Sequence, residues 1–240
     1  MPAAKKTSAL KSPALKSPAF SGFVPDTLKF LKALGFHQSK QWFDDNRDLY
    51  VSALKEPMAA YVEALSEALA ARKIPLKGDP ARGVFRLNRD IRFSKDKRPY
   101  KTNSGCVLTR TGAKNSPGLL YTHVSPEGCF FAAGFYHVEP EQLLAVRRLL
   151  AAKPDVYADM AKKLAKAGLA LSDDEALTRN PREFKDVDPR VTDAIRMKSF
   201  VVRKPFDGKI LLDGGKLVAA AVDFATHGAP LLEFGWRVIP

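Results

Sequence analysis

The feature that most constrains this chain is a double change in hydrophobic period. From Phe20 to about residue 72, apolar residues recur at helical spacing. From 84 to 136 they alternate or gather in short runs, and from about 141 helical spacing returns. A period near 3.6 buries one face of a helix, and a period of two buries one face of a strand. Helices, then a block of strands, then helices argue for an α+β fold rather than an alternating parallel sheet. The expected architecture is an antiparallel or mixed sheet of about four to five strands packed with N- and C-terminal helices. One domain over residues 20–240 accommodates it.

Local signals place the elements. Pro25 opens a first helix that ends near Gly35, Ser39 caps a second to about Leu54, and Pro57 starts a third to about Arg72. Residues 84–93, 105–110, 119–125 and 129–136 read as strands, the last two joined through Pro126-Glu127-Gly128. Helices follow at Glu141–Ala152 and Asp155–Ala167, the latter closed by Gly168. Asp188-Pro189 caps a short helix to Met197, Phe200–Val202 forms a further strand, and Leu217–Ala225 is the last helix. The sheet is expected to centre on the strand Val84–Phe93.

Residues 1–19 differ from the rest. They carry Lys5, Lys6, Lys11 and Lys16, no acid, and a near repeat of Ala-Leu-Lys-Ser-Pro. Such a segment has too little apolar surface to offset the entropy of ordering, so a disordered basic tail is expected. The whole chain carries a formal net charge of +13, which favours anionic partners. No apolar run is long enough to span a membrane and no apolar signal core is present, so a cytoplasmic protein is expected. Cys106 and Cys129 lie in apolar, strand-like stretches and read as reduced and buried.

The densest polar chemistry runs from Phe85 to Asn103. On a strand, Phe85, Leu87, Ile91 and Phe93 share one face, and Arg86, Asn88, Asp90 and Arg92 the other. Arg89 falls on the apolar face, where it needs either an acid from a helix or a bulge that re-aims it. From Arg86 to Lys101 there are seven Lys/Arg and two Asp, interleaved with Phe93, Pro99 and Tyr100. Arginine forks beside a stacking ring suit phosphate or carboxylate recognition. Arg86, Arg89, Arg92, Lys97 and Lys101 would supply charge and Tyr100 would stack. Asp90 and Asp96 would orient the cations, or act as general base or metal ligand. The alternative is that the Arg–Asp pairs only pin the segment to the helices.

This segment resembles a known family. Phe85-Arg86, the run Arg89 to Lys97 and Pro99-Tyr100-Lys101-Thr102 are similar to the signature of the bacterial and fungal domain-of-unknown-function family 2461. Trp42-Phe43 with Asn46, Arg47 and Tyr50 matches it again, as do Gly134-Phe135-Tyr136, Pro140 and Arg147. The resemblance covers roughly residues 20–230. Members tend to carry an Asn-rich turn where this chain has His37-Gln38-Ser39. The resemblance implies a shared fold and shared site positions, but no reaction. It gives Trp42, Asn46 and Arg47 a supporting role, with Arg47 expected to pair with Asp90 or Asp96.

Other chemistries find little support. His37, His123, His137 and His227 show no metal-ligand spacing, there is no nucleophile elbow, and Asp213-Gly214-Gly215-Lys216 lacks the spacing of a phosphate loop. No metal and no cofactor is expected. The preferred reading is a binding module for a phosphate-bearing ligand, nucleic acid among the candidates. The rivals are an enzyme acting on a phosphorylated or carboxylated small molecule, and a structural or interaction protein.

Overall fold

The computed structural model describes residues 20–92, 95–172 and 174–239. The expected basic tail, Phe93 and Ser94 lie outside these residues. The N-terminal layer begins with α1 (Asp26–Phe36), opened by Pro25. Ser39 then caps α2 (Lys40–Asp45) by accepting from the Trp42 amide. The expected single helix to Leu54 is instead α2, a short α3 (Arg47–Tyr50) and a π-helical turn at Val51–Lys55, which runs on into α4 (Glu56–Ala71). Pro57 explains part of this. It has no amide hydrogen to donate to the Ala53 carbonyl one turn back. The buried Thr27 hydroxyl of α1 donates to that carbonyl at 2.6 Å, which fastens α1 to the helical rod.

Four strands follow: β1 (Ser104–Thr109), β2 (Leu119–Val124), β3 (Cys129–Phe135) and β4 (Phe200–Phe206). They form one antiparallel sheet in the order β1-β2-β3-β4. Between β3 and β4 the chain builds α5 (Pro140–Ala152), α6 (Pro154–Lys166) and, after a turn capped by Asp188, α7 (Thr192–Arg196). The last helix, α8 (Gly214–Gly235), continues well past the expected end at Ala225, through Gly228 and Pro230. Gly228 lets it approach β3 closely: a Cβ there would stand 3.2 Å from the Ala133 side chain.

Side chains alternate across the sheet. Leu120, Thr122 and Val124 of β2 and Phe131, Ala133 and Phe135 of β3 are buried toward α4 and α8. On this face the Tyr61 and Thr122 hydroxyls share a buried hydrogen bond, and Phe131 stacks on Phe206 and Phe224. The opposite residues are Val107 of β1, Leu119, Tyr121 and His123 of β2, Phe130 and Ala132 of β3, and Val201 and Arg203 of β4. They face a concavity that no described helix fills.

The expectation that the sheet centres on Val84–Phe93 is corrected. That segment lies beyond the β1 edge and meets it at an isolated bridge, Val84 to Cys106, while Asn88 pairs with Tyr100 on the segment's own returning arm. Its alternation holds from Phe85 to Arg89 and then fails, with Ile91 44% exposed. Two Asx-type turns cause the failure. Asp90 accepts from the Arg92 amide and Asp96 from the Arg98 amide, curling the chain away from an extended ladder. Arg89 and Lys101 rejoin the two arms by donating to the Pro99 and Leu87 carbonyls.

Candidate functional site

The charged tip of the central segment is held by its own residues. Arg92 clasps Asp90 through two hydrogen bonds of 3.0 and 2.8 Å, and Arg98 clasps Asp96 in the same way. These contacts hold both carboxyls below the usual range. For Asp90 the Arg92 side chain is the main cause, and for Asp96 the Arg98 side chain, with Arg89 adding to it. A carboxylate held low by paired arginines is a weaker proton acceptor than a free one. Arg89 finds its acid within the same loop, Asp96 at 3.1 Å, rather than on a helix. Lys97 donates to the Ile91 carbonyl and closes the turn.

Tyr100 is placed differently from expectation. It is only 5% exposed, and its ring stacks on Phe43 at 4.7 Å between centroids. Its amide donates to the Gln38 side chain. Tyr100 therefore docks the segment on the N-terminal helices instead of presenting a ring to a ligand. The expected link from Arg47 is also corrected: its carboxylate is Asp44, one turn back on the same helical rod, at 3.8 Å. Gln38 and Phe43 make the connection from the helices to the segment instead. Trp42 stacks between His37 and Phe30, and the Asn46 side chain donates to the Trp42 carbonyl. Both shape the helical layer.

Of the expected ligand residues, Lys101 lines a cavity. The concavity on the uncovered sheet face has a volume of about 370 Å³. Lys101 and Asn103 form its wall beside Phe85, and Tyr136 and Arg203 lie on the far side. Arg86 stands outside the lining but close by. Its charge and that of Lys101 both reinforce the downward push that burial exerts on the Lys114 ammonium. Lys114 itself sits 4.4 Å over the Phe85 ring and donates to the Val84 carbonyl. Among the described residues, Arg86, Lys101 and Lys114 have no carboxylate within 4.0 Å. Arg203 has Asp174 at 3.4 Å.

The floor between these cations is apolar and aromatic. His123 stacks on Phe130 across β2 and β3 at 4.5 Å, and the Arg203 guanidinium lies 5.9 Å from the Phe130 ring centroid. The Tyr121 hydroxyl is 3.1 Å from His123 Nδ1. Burial pushes the Tyr121 phenol up to about 12 and lowers His123, which favours a neutral pair joined by one hydrogen bond. Gly105 makes room for this ring, since a Cβ there would stand 2.5 Å from the Tyr121 oxygen.

Sequence reasoning passed over Lys114, Tyr121, Phe130 and Arg203, met Tyr136 only through the family motif, and considered His123 only as a metal ligand. The signal was present in Leu119-Leu120-Tyr121-Thr122-His123-Val124, whose second face is aromatic rather than charged. Among the described residues no three His, Cys, Asp or Glu side chains converge as a metal site would require. Cys106 and Cys129 are buried and free, with burial pushing the Cys106 thiol up to about 12. No described helix is long and apolar enough to cross a membrane.

No curated protein and no solved structure matches this chain. A family described as conserved hypothetical protein (DUF2461) matches residues 26–234, which include α1, the whole sheet, the cavity and nearly all of α8. Phe85 and Lys101 from the central motif and Tyr136 from the β3 motif all line the cavity, while Phe43 from the helical motif holds Tyr100 beside it. The chain therefore belongs to the DUF2461 family of conserved hypothetical proteins.

Proposed function

We propose that the uncovered sheet face binds a small anion that bears phosphate or carboxylate. The observation that supports this reading is Lys101 in the wall of an apolar cavity, with Lys114 over the Phe85 ring and Arg86 nearby, none of them with a carboxylate within 4.0 Å among the described residues. Like charges gathered this closely repel one another, and a bound anion relieves the repulsion. The apolar floor strengthens the attraction by keeping the local dielectric low. A volume of about 370 Å³ falls within the roughly 300–1,000 Å³ of small-molecule sites. The concave shape favours a small ligand over a long polymer lying in an open groove.

The experiment is a calorimetric titration with pyrophosphate at two salt concentrations, on the full chain and on Lys101→Ala. Saturable binding that weakens about tenfold in the variant and falls with salt is expected. Equal binding by both proteins would move the anion away from the cavity, and the lysine-bearing residues 1–19 would become the first alternative to test.

A further inference from the structure

We propose that the ligand of this cavity is a mononucleotide, with its base on the aromatic floor and its phosphate at the lysine wall. This rests on the anion-binding reading and adds the part of the ligand that the cations leave unspecified.

Inorganic phosphate would use only one end of the site. The remaining surface is apolar or aromatic: Phe85, Tyr121, Phe130 and Tyr136 stand around Leu119, Val107, Ala132 and Val201. An ordinary sheet face left open to water alternates buried with charged or polar residues. Here the uncovered face of β2 carries Leu119, Tyr121 and His123, and that of β3 carries Phe130 and Ala132. Leaving such surface exposed loses the stabilisation of burial, and covering it with a flat ring system recovers it. Sugar phosphates and short carboxylates have no ring to offer.

A plain aromatic acid would satisfy the rings but not the polar groups among them. Asn103 lies in the same wall as Lys101, and no side-chain hydrogen bond to its amide is present among the described residues. An amide offers both donors and acceptors, the complement of a nucleobase edge. Because Tyr121 engages His123 at Nδ1, the other ring nitrogen of His123 is left to a ligand. The guanidinium of Arg203, beside Phe130, provides a second flat surface for a base. The site therefore combines phosphate-binding cations, stacking surfaces and an unengaged amide within one small cavity. Its size holds a single nucleotide, whereas a duplex keeps its bases stacked away from any such cavity.

The test compares adenosine 5′-monophosphate, uridine 5′-monophosphate, ribose 5-phosphate, pyrophosphate and a short single-stranded oligonucleotide by calorimetry on the full chain. At least one mononucleotide is expected to bind about tenfold or more tighter than ribose 5-phosphate. Phe130→Ala should remove that advantage while leaving the weaker binding of pyrophosphate. Asn103→Ala should narrow the difference between the two bases. Should ribose 5-phosphate or pyrophosphate bind as tightly as both nucleotides, the base has no site: this proposal fails and the anion-binding reading stands. Should the oligonucleotide bind while neither mononucleotide does, the mononucleotide proposal is overturned in favour of a strand. Should no probe bind, both readings fail together. Circular dichroism of Phe130→Ala establishes that it is folded, and Phe130→Leu, which keeps the apolar volume and removes the stacking face, gives the same test in a more conservative form.

Discussion

The two faces of the sheet are made by alternate residues of the same strands, yet they end in opposite circumstances. On one face Thr122, Phe131 and Ala133 disappear beneath α4 and α8, and the buried hydroxyl of Thr122 is matched by Tyr61. On the other, Tyr121, His123 and Phe130 stand around a cavity with cations at its margin. Neighbours one residue apart thus experience a sealed core and a half-open site. The sealed face needs nothing further for its stability. The open face retains apolar surface with cations beside it, the features on which the anion-binding proposal rests.

Substitutions of paired neighbours can break this comparison. Phe131→Ala removes a ring packed on Phe206 and Phe224, and it should cost about 3–5 kcal/mol in chemical denaturation. Phe130→Ala should cost less than about 1.5 kcal/mol, because its ring is only half-buried. Equal losses would erase the distinction between the faces. Gly105→Ala comes next. Its new Cβ collides with the Tyr121 ring, and displacing that ring into the cavity should cost about 1–3 kcal/mol and weaken pyrophosphate binding. A smaller effect is expected for Tyr61→Phe, about 1 kcal/mol from removing its buried hydrogen bond to the Thr122 hydroxyl. Tyr121→Phe should stay within about 0.5 kcal/mol.

The smallest effect is electrostatic. Burial lowers His123 below its ordinary value, so the folded state binds this proton less readily than the unfolded chain. Its contribution is therefore complete above about pH 6.5 and declines as the pH falls from there toward the lowered folded value. Asp188, held at about 2 chiefly by Arg190, acts in a separate window. It contributes stability above the ordinary carboxylate range, lost as the pH falls through its folded value. His123→Gln should flatten the first decline in a stability-versus-pH series and leave the second. A bound anion beside His123 should shift the first decline in the same direction as proton uptake.

Much of this was legible in the chain. The hairpin turn at Pro126-Glu127-Gly128, the Ser39 cap and the succession of helices around the strands follow from local chemistry, and local chemistry is visible in sequence. The end of α8 was not, because Gly228 and Pro230 look like helix breakers until β3 is packed against them. The central strand failed for a related reason. Its alternation is real up to Arg89, but Asp90 and Asp96 each bind the arginine two residues on, and those turns outweigh extension. The charge that drew attention to residues 89–98 is spent on shaping that loop. Lys101, which lines the cavity, and Arg86, at the two arms of the same segment, were read from the sequence as candidate ligand residues. The aromatic floor was not, because which face of β2 and β3 meets helices is decided by α8, far along the chain.

The most direct test of the central claim is a nuclear magnetic resonance titration of the isotopically labelled full chain with pyrophosphate, following backbone amides. Saturable shifts centred on Phe85, Lys101, Asn103, Tyr121 and His123, with the amides of α4 and α8 little changed, are the predicted result. Shifts that stay linear with concentration, or that gather on the outer faces of α5 and α6, would contradict the assignment of the uncovered sheet face as the binding site.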